Sequence, residues 1–122
     1  MEIIYFLDTY AIFEIIKGNR NYLKFIDKKC HTSLLNLYEL YFHLLRDFGE
    51  TVAEYYFKKY LVMKCEIKEE YIAKAATFRL KYLKQNLSYV DALGYTIAVE
   101  NNFSFLTGDK EFKNLEHVTF VK

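Results

Sequence analysis

Five consecutive apolar residues, Ile3 to Leu7, run directly into Asp8. A continuous apolar run of this length is the pattern of a strand buried on both faces, not of an amphipathic surface strand. Further short strand candidates are Cys30–Leu34, Met63–Ile67, Phe103–Leu106 and Val118–Val121. Between them lie segments with apolar residues at helical spacing. Strands that alternate with helices predict an α/β fold around a mainly parallel sheet.

The helical segments follow from spacing and punctuation. Thr9–Lys17 places Ala11, Ile12, Ile15 and Ile16 on one face, with Gly18 as its stop. Asn21–Lys28 reads as a second helix, Asn36–Phe48 as a third ended by Gly49, and Thr51–Tyr60 as a fourth. Lys68–Lys84 is the longest helical pattern, and Ser88 opens a last helix reaching about Glu100. No linker, repeat or low-complexity segment divides the chain, so residues 1–122 are expected to form one domain.

Charge and cysteines narrow the function classes. A formal net charge of +1 is not the balance of a protein that holds duplex DNA by charge alone. Local basic clusters remain: Lys17 to Lys29, Lys58–Lys59, and Arg79, Lys81 and Lys84. Each taken alone is a solvated helix face; together they can also guide a phosphate backbone. Cys30 and Cys65 have neither zinc-finger nor redox spacing and read as free thiols of a reducing compartment. No signal peptide or membrane-length apolar stretch is visible, so a cytoplasmic location is expected. The chain carries 12 Tyr and 11 Phe, a surplus that points to a partner or dimer face.

Four carboxylates occupy positions worth weighing. Open parallel sheets bind ligands at the carboxyl ends of their strands. Asp8 follows one strand there, and Asp109 in "FSFLTGD" follows another. Asp8 also suits a helix N-cap, and Asp109 a turn. Asp91 stands three residues after Ser88, which is capping-box spacing, and a helix start also keeps an acid ionised. Glu39 lies with Asn36, His43, Arg46 and Asp47 in a narrow polar stripe on an otherwise apolar helix. That stripe faces either solvent, with a Glu39–His43 pair, or a polar cleft.

Taken in order, "LDTYAI", "NLYEL", "S-x-x-DAL" and "FLTGDKEF" resemble the PIN-domain nucleases, and among them the VapC-type toxins. The resemblance covers essentially the whole chain. It implies a three-layer α/β/α sandwich with a parallel sheet of four to five strands. It implies that Asp8, Glu39, Asp91 and Asp109 converge as catalytic metal ligands, with Thr9 and Thr107 supporting them. Tyr10 departs from the pattern, which often has a small polar residue there; it crowds the turn but removes no ligand.

Four carboxylates packed together repel unless protonated or neutralised. All-oxygen donors select Mg²⁺ or Mn²⁺ over zinc. The expected activity is metal-assisted hydrolysis of RNA phosphodiesters, with a 5′-phosphate and a 3′-hydroxyl as the implied products. Asp8 and Asp91 are the expected central ligands. Exposed tyrosines would stack the bases of single-stranded RNA. A small antitoxin protein and a second copy of the chain are the partners the resemblance implies. The alternatives are a housekeeping RNA-processing nuclease, a non-catalytic PIN-like binding module, and a phosphatase with Asp8 as nucleophile. The last pattern needs an acid where Tyr10 stands.

Overall fold

A computed structural model describes residues 2–122; Met1, the first residue of the expected domain, lies outside the described residues. Strands β1 (Tyr5–Leu7), β2 (Cys30–His31), β3 (Ser104–Thr107) and β4 (Val118–Phe120) form one sheet in the order β2-β1-β3-β4. Every neighbouring pair is parallel, and the register sets Leu7 beside Leu106 and Thr107 beside Phe120. Of the apolar first run only Tyr5–Leu7 is strand, an interior one; Ile3 lies before it and is exposed.

Five helices cover the sheet: α1 (Thr9–Ile16), α2 (Leu34–Phe48), α3 (Glu50–Leu61), α4 (Glu70–Lys81) and α5 (Tyr89–Glu100). Strand alternation decides which layer each side chain joins. Phe6 and Phe105 point toward α4 and α5, where they pack with Tyr71, Leu93 and Ile97. Leu7 and Leu106 point the other way, into a second cluster with Ile12, Leu37, Leu40 and Tyr60 from α1, α2 and α3. Each such buried side chain contributes about 1.5–3 kcal/mol. The result is the three-layer α/β/α arrangement with a four-stranded parallel sheet.

Several boundaries differ from expectation for identifiable reasons. The segment expected as a strand over Met63–Ile67 makes only one parallel bridge, Lys64 to Thr32. Met63 packs into the α1–α3 layer while Cys65 and Ile67 pack into the α4–α5 layer. A regular strand keeps positions two apart on one face, so this segment twists off the ladder. The expected helix at Asn21–Lys28 is a 3-10 helix over Arg20–Phe25. Its three-residue turn stacks Tyr22 above Phe25, and both are buried. Helix α2 starts two residues early because the Ser33 side chain caps it, accepting from the Asn36 N–H.

Helix α5 is more enclosed than its pattern implied: all seven residues from Ala92 to Ala98 are buried. Gly94 explains how close its neighbours come. A Cβ there would lie 3.0 Å from the Phe6 ring and 3.5 Å from Asn36 Oδ1. The amino end of α2 and strand β1 thus both press on α5, at the carboxyl edge of the sheet.

Candidate active site

Asp8 leaves β1 and caps α1. Its Oδ1 accepts from the Ala11 N–H at 2.8 Å, and its Oδ2 accepts from the Thr107 hydroxyl at the end of β3. Only 3% of Asp8 is exposed. The capping role and the edge position are both real. Thr107 is wholly buried and works in two directions, since its Oγ1 also accepts from the Asp109 N–H at 3.0 Å. Asp109 then caps the 3-10 helix Lys110–Phe112, accepting from the Glu111 N–H at 3.0 Å.

Glu39 reaches the same edge from α2. Its Oε1 accepts from the Thr9 hydroxyl at 2.7 Å, and Thr9 in turn accepts from Asn36 Nδ2 at 3.2 Å. Ser33 donates to Asn36 Oδ1, which completes a buried relay from Ser33 through Asn36 and Thr9 to Glu39. The polar stripe on α2 therefore has two ends. Asn36 is buried, Glu39 and His43 are half-buried, and Arg46 and Asp47 are exposed. Of the two readings of the stripe, the one with a Glu39–His43 pair does not hold: Glu39 bonds to Thr9, and His43 meets the Phe13 and Phe42 rings edge-on. Asp91 completes the set from α5, where it forms the full capping box with Ser88: its Oδ2 accepts from the Ser88 N–H at 2.9 Å.

The electrostatics tie these groups together. Burial raises the Asp8 carboxyl from 3.8 to about 7; bonds from Thr107 and Ala11 pull it down, and the Asp91 and Asp109 charges push it up. Burial also raises Asp91, with Asp109 adding to the rise. Burial raises Glu39, opposed by the Thr9 bond, with Asp91 adding to the rise and His43 weakly opposing. Carboxylates thus act on carboxylates here, without a lysine or arginine among the charges that shift them.

The oxygen-only donor set and its unbalanced negative charge fit a hard divalent cation. As placed, the side chains are not drawn into one coordination sphere. Among the described residues, no group of three or more carboxylate, imidazole or thiol side chains is gathered tightly enough to hold an ion. The reason is visible in the bonds: Asp91 turns back onto its own N-cap, and Asp109 onto its own turn.

Sequence reasoning missed Ser33 and the positioning part of Asn36. A helix start with Ser33 and Asn36 three residues apart, directly before Glu39, was the available signal. Tyr10 has an unexpected neighbour. A Cβ at Gly108 would lie 2.2 Å from Tyr10 Cε1 and 2.6 Å from the Val121 carbonyl oxygen, so the ring rests on the glycine. Beside Glu39 opens a cavity of about 310 Å³, lined by Thr9, Tyr10, Phe13, Lys17, His43 and Arg46 among others.

The family model described as PIN domain matches residues 5–118. No curated protein sequence matches the chain. Three solved structures share the fold at low identity. A toxin–antitoxin complex from Klebsiella pneumoniae is similar at 17% identity and a TM-score of 0.74, covering 94% of this chain and 95% of that one. VapC20 of Mycobacterium tuberculosis, a Sarcin-Ricin loop cleaving toxin, gives 17% and 0.74, with 92% and 95% covered. VapBC2 from Rickettsia felis, bound to a DNA fragment from its promoter, gives 16% and 0.75, with 98% and 100% covered.

Proposed function

The chain belongs to the PIN-domain family, and on that premise we propose that it is a divalent-metal-dependent endoribonuclease, the toxin of a toxin–antitoxin pair. One observation carries the reading: buried Asp8 and half-buried Asp91 and Glu39 stand near one sheet edge, where the Asp91 charge raises the carboxyls of Asp8 and Glu39 and the Asp109 charge raises those of Asp8 and Asp91. Such a group favours a cation when ionised. Asp8 and Asp91 are the principal ligands in this reading, and Glu39 and Asp109 border them.

Bound Mg²⁺ or Mn²⁺ supplies charge neutralisation and an acidified water. The chain's own residues supply placement. The Ala11 N–H and the Thr107 hydroxyl hold both Asp8 oxygens in one orientation. Thr9 fixes Glu39 through Oε1, which leaves Oε2 to take a proton from an attacking water. Burial raises the Glu39 carboxyl above its ordinary value, the direction that makes it a stronger base.

The partners fit two exposed apolar stripes. On α2, Leu35, Tyr38, Phe42 and Leu45 are 37–70% exposed at helical spacing. This stripe lies on the helix that bears Glu39, and an antitoxin covering it would also cover the acids. On and just after α4, Ile72, Leu80 and Leu83 are 57–72% exposed and are assigned to a second copy of the chain. We take residues 1–122 as one PIN-like unit and propose the cytoplasm as its place of action. Among the described residues no helix is long and apolar enough to cross a membrane.

The test is cleavage of single-stranded RNA by purified protein with Mg²⁺ or Mn²⁺. Wild type should cleave, and chelation or the double variant Asp8→Asn with Asp91→Asn should abolish cleavage. Cleavage that survives either treatment overturns the reading.

A further inference from the structure

Among the tyrosines, Tyr89 is the most exposed large apolar side chain of its kind, at 78%, yet it is not loose. The Arg79 guanidinium lies over its ring at 4.1 Å from the centroid, the shortest cation–ring contact among the described residues. Arg79 is itself fixed, since its Nε donates to the Leu87 carbonyl at 3.0 Å. A guanidinium stacked on an aromatic face stabilises both groups and polarises the ring. One face of Tyr89 is therefore backed and rigid, and the remainder of the ring meets solvent. Exposed Tyr38 and Tyr55 have no such backing cation.

Position gives the ring a meaning. Tyr89 is the first residue of α5, next to the Ser88 cap and two residues before Asp91. Two residues span at most about 7 Å along the backbone. Stacked nucleotides advance about 3.4 Å each along a strand. Residues two apart on a helix face different ways, so a strand with a phosphate near Asp91 reaches Tyr89 by passing over the amino end of α5, one or two nucleotides on.

We propose that Tyr89, backed by Arg79, is a stacking platform for an unpaired base of single-stranded RNA, one or two nucleotides from the phosphate held at the acidic edge. The inference rests on the ribonuclease reading and adds the residue that selects unpaired strands. A base inside a duplex already has its faces occupied and cannot stack there. Aromatic stacking tolerates any base, so the platform selects strandedness, not sequence.

The experiment measures binding by fluorescence anisotropy in an Asp8→Asn background, so that the strand stays intact. The probe is a labelled oligoadenylate of about eight nucleotides, within the usual site size of single-strand binders. Tyr89→Ala should weaken binding about 5- to 150-fold, the range of one lost stacking contact. Tyr89→Phe should bind within about twofold of the parent, because the stacking face is kept. Replacing the oligoadenylate by an abasic strand of equal length should weaken the parent but not Tyr89→Ala. Circular dichroism and a melting curve check that each variant is folded. The proposal is overturned if Tyr89→Ala binds like the parent, if Phe is as poor as Ala, or if the Ala loss is equally large on the abasic strand. It is also overturned if a duplex competes as well as the single strand. Parent protein that binds no RNA at all overturns this inference and the substrate reading together. Binding that behaves as described, without any cleavage by the metal-loaded wild type, overturns the nuclease reading alone.

Discussion

The two ends of helix α1 treat a carboxylate in opposite ways. At the carboxyl end, burial works against ionised Glu14, but Lys17 and Asn19 outweigh it and hold its carboxyl below the usual value. Lys17 Nζ stands 2.7 Å from Glu14, and Asn19 Nδ2 donates to it at 2.9 Å. At the amino end, burial dominates Asp8 and two further acids reinforce it, raising the carboxyl to about 7. Both acids lie on one short helix, so helix formation alone does not explain the difference. Glu14 belongs to a finished structural contact. Asp8 sits in a charge arrangement that the protein's own side chains leave incomplete, as expected of a group that has another ligand to meet.

The largest expected effect breaks that contrast outright. Asp8→Asn should lower metal-dependent RNA cleavage by at least about a hundredfold, several kcal/mol of transition-state stabilisation, in single-turnover assays. The same variant should remain folded, because asparagine also caps helices well. Unfolding of Asp8→Asn would show that the fold depends on the second carboxylate oxygen, the one that accepts from Thr107.

Next comes stability against pH. The folded Asp8 carboxyl is raised above its ordinary 3.8, so the native state binds the extra proton between the two values. Its contribution to stability is full below about pH 4 and is lost as pH rises through about 7. Urea unfolding of metal-free protein should show wild type losing a few kcal/mol relative to Asp8→Asn between pH 4 and 8. Mn²⁺ should restore part of that loss at pH 8 and little of it at pH 5, because it binds the ionised form. Equal pH profiles for the two proteins would mean that Asp8 is better solvated than its burial implies.

A smaller effect tests what steadies Asp8. Thr107→Val keeps the shape but removes the hydroxyl shared by Asp8 and the Asp109 N–H. Metal affinity measured by calorimetry should fall about 10- to 100-fold, as for other supports of metal ligands. The smallest effect belongs to the finished end of the helix. Glu14→Gln should cost no more than about 1 kcal/mol, and less at high salt, because Lys17 is half exposed. Glu14 stabilises above its ordinary pKa, and that contribution fades as pH falls through its lowered value, the reverse of Asp8.

Much of this was legible in the sequence. The run Ile3–Leu7 announced an interior strand, and Asp8 and Asp109 announced the edge, because both follow apolar runs whose only sensible burial is two-sided. The four acids could be named from motif order. How near they come in space could not, since that depends on α2 and α5 meeting at Gly94, a long-range approach that no local pattern specifies. The Ser33–Asn36–Thr9 relay was hidden for a related reason: each residue alone is an ordinary cap or turn former. Short elements were the weakest point. Met63–Ile67 has strand composition, but its side chains divide between two layers, and composition does not encode that twist. The exposed stripe of Leu35, Tyr38, Phe42 and Leu45 was foreshadowed by a helix too apolar for a solvated surface, yet only the packing told which side stays open.

The bond from Thr107 to Asp8 joins residues 99 positions apart. The central strand β1 likewise finds its neighbour β3 only across that distance. Synthesis runs from the amino end at about 5–20 residues per second, so the first acid emerges seconds before the hydroxyl that orients it. A nascent chain shorter than Thr107 has neither β3 nor the shared hydroxyl. The acidic edge waits for β3, and the activity proposed here would be withheld from a ribosome-bound chain until Thr107 has emerged.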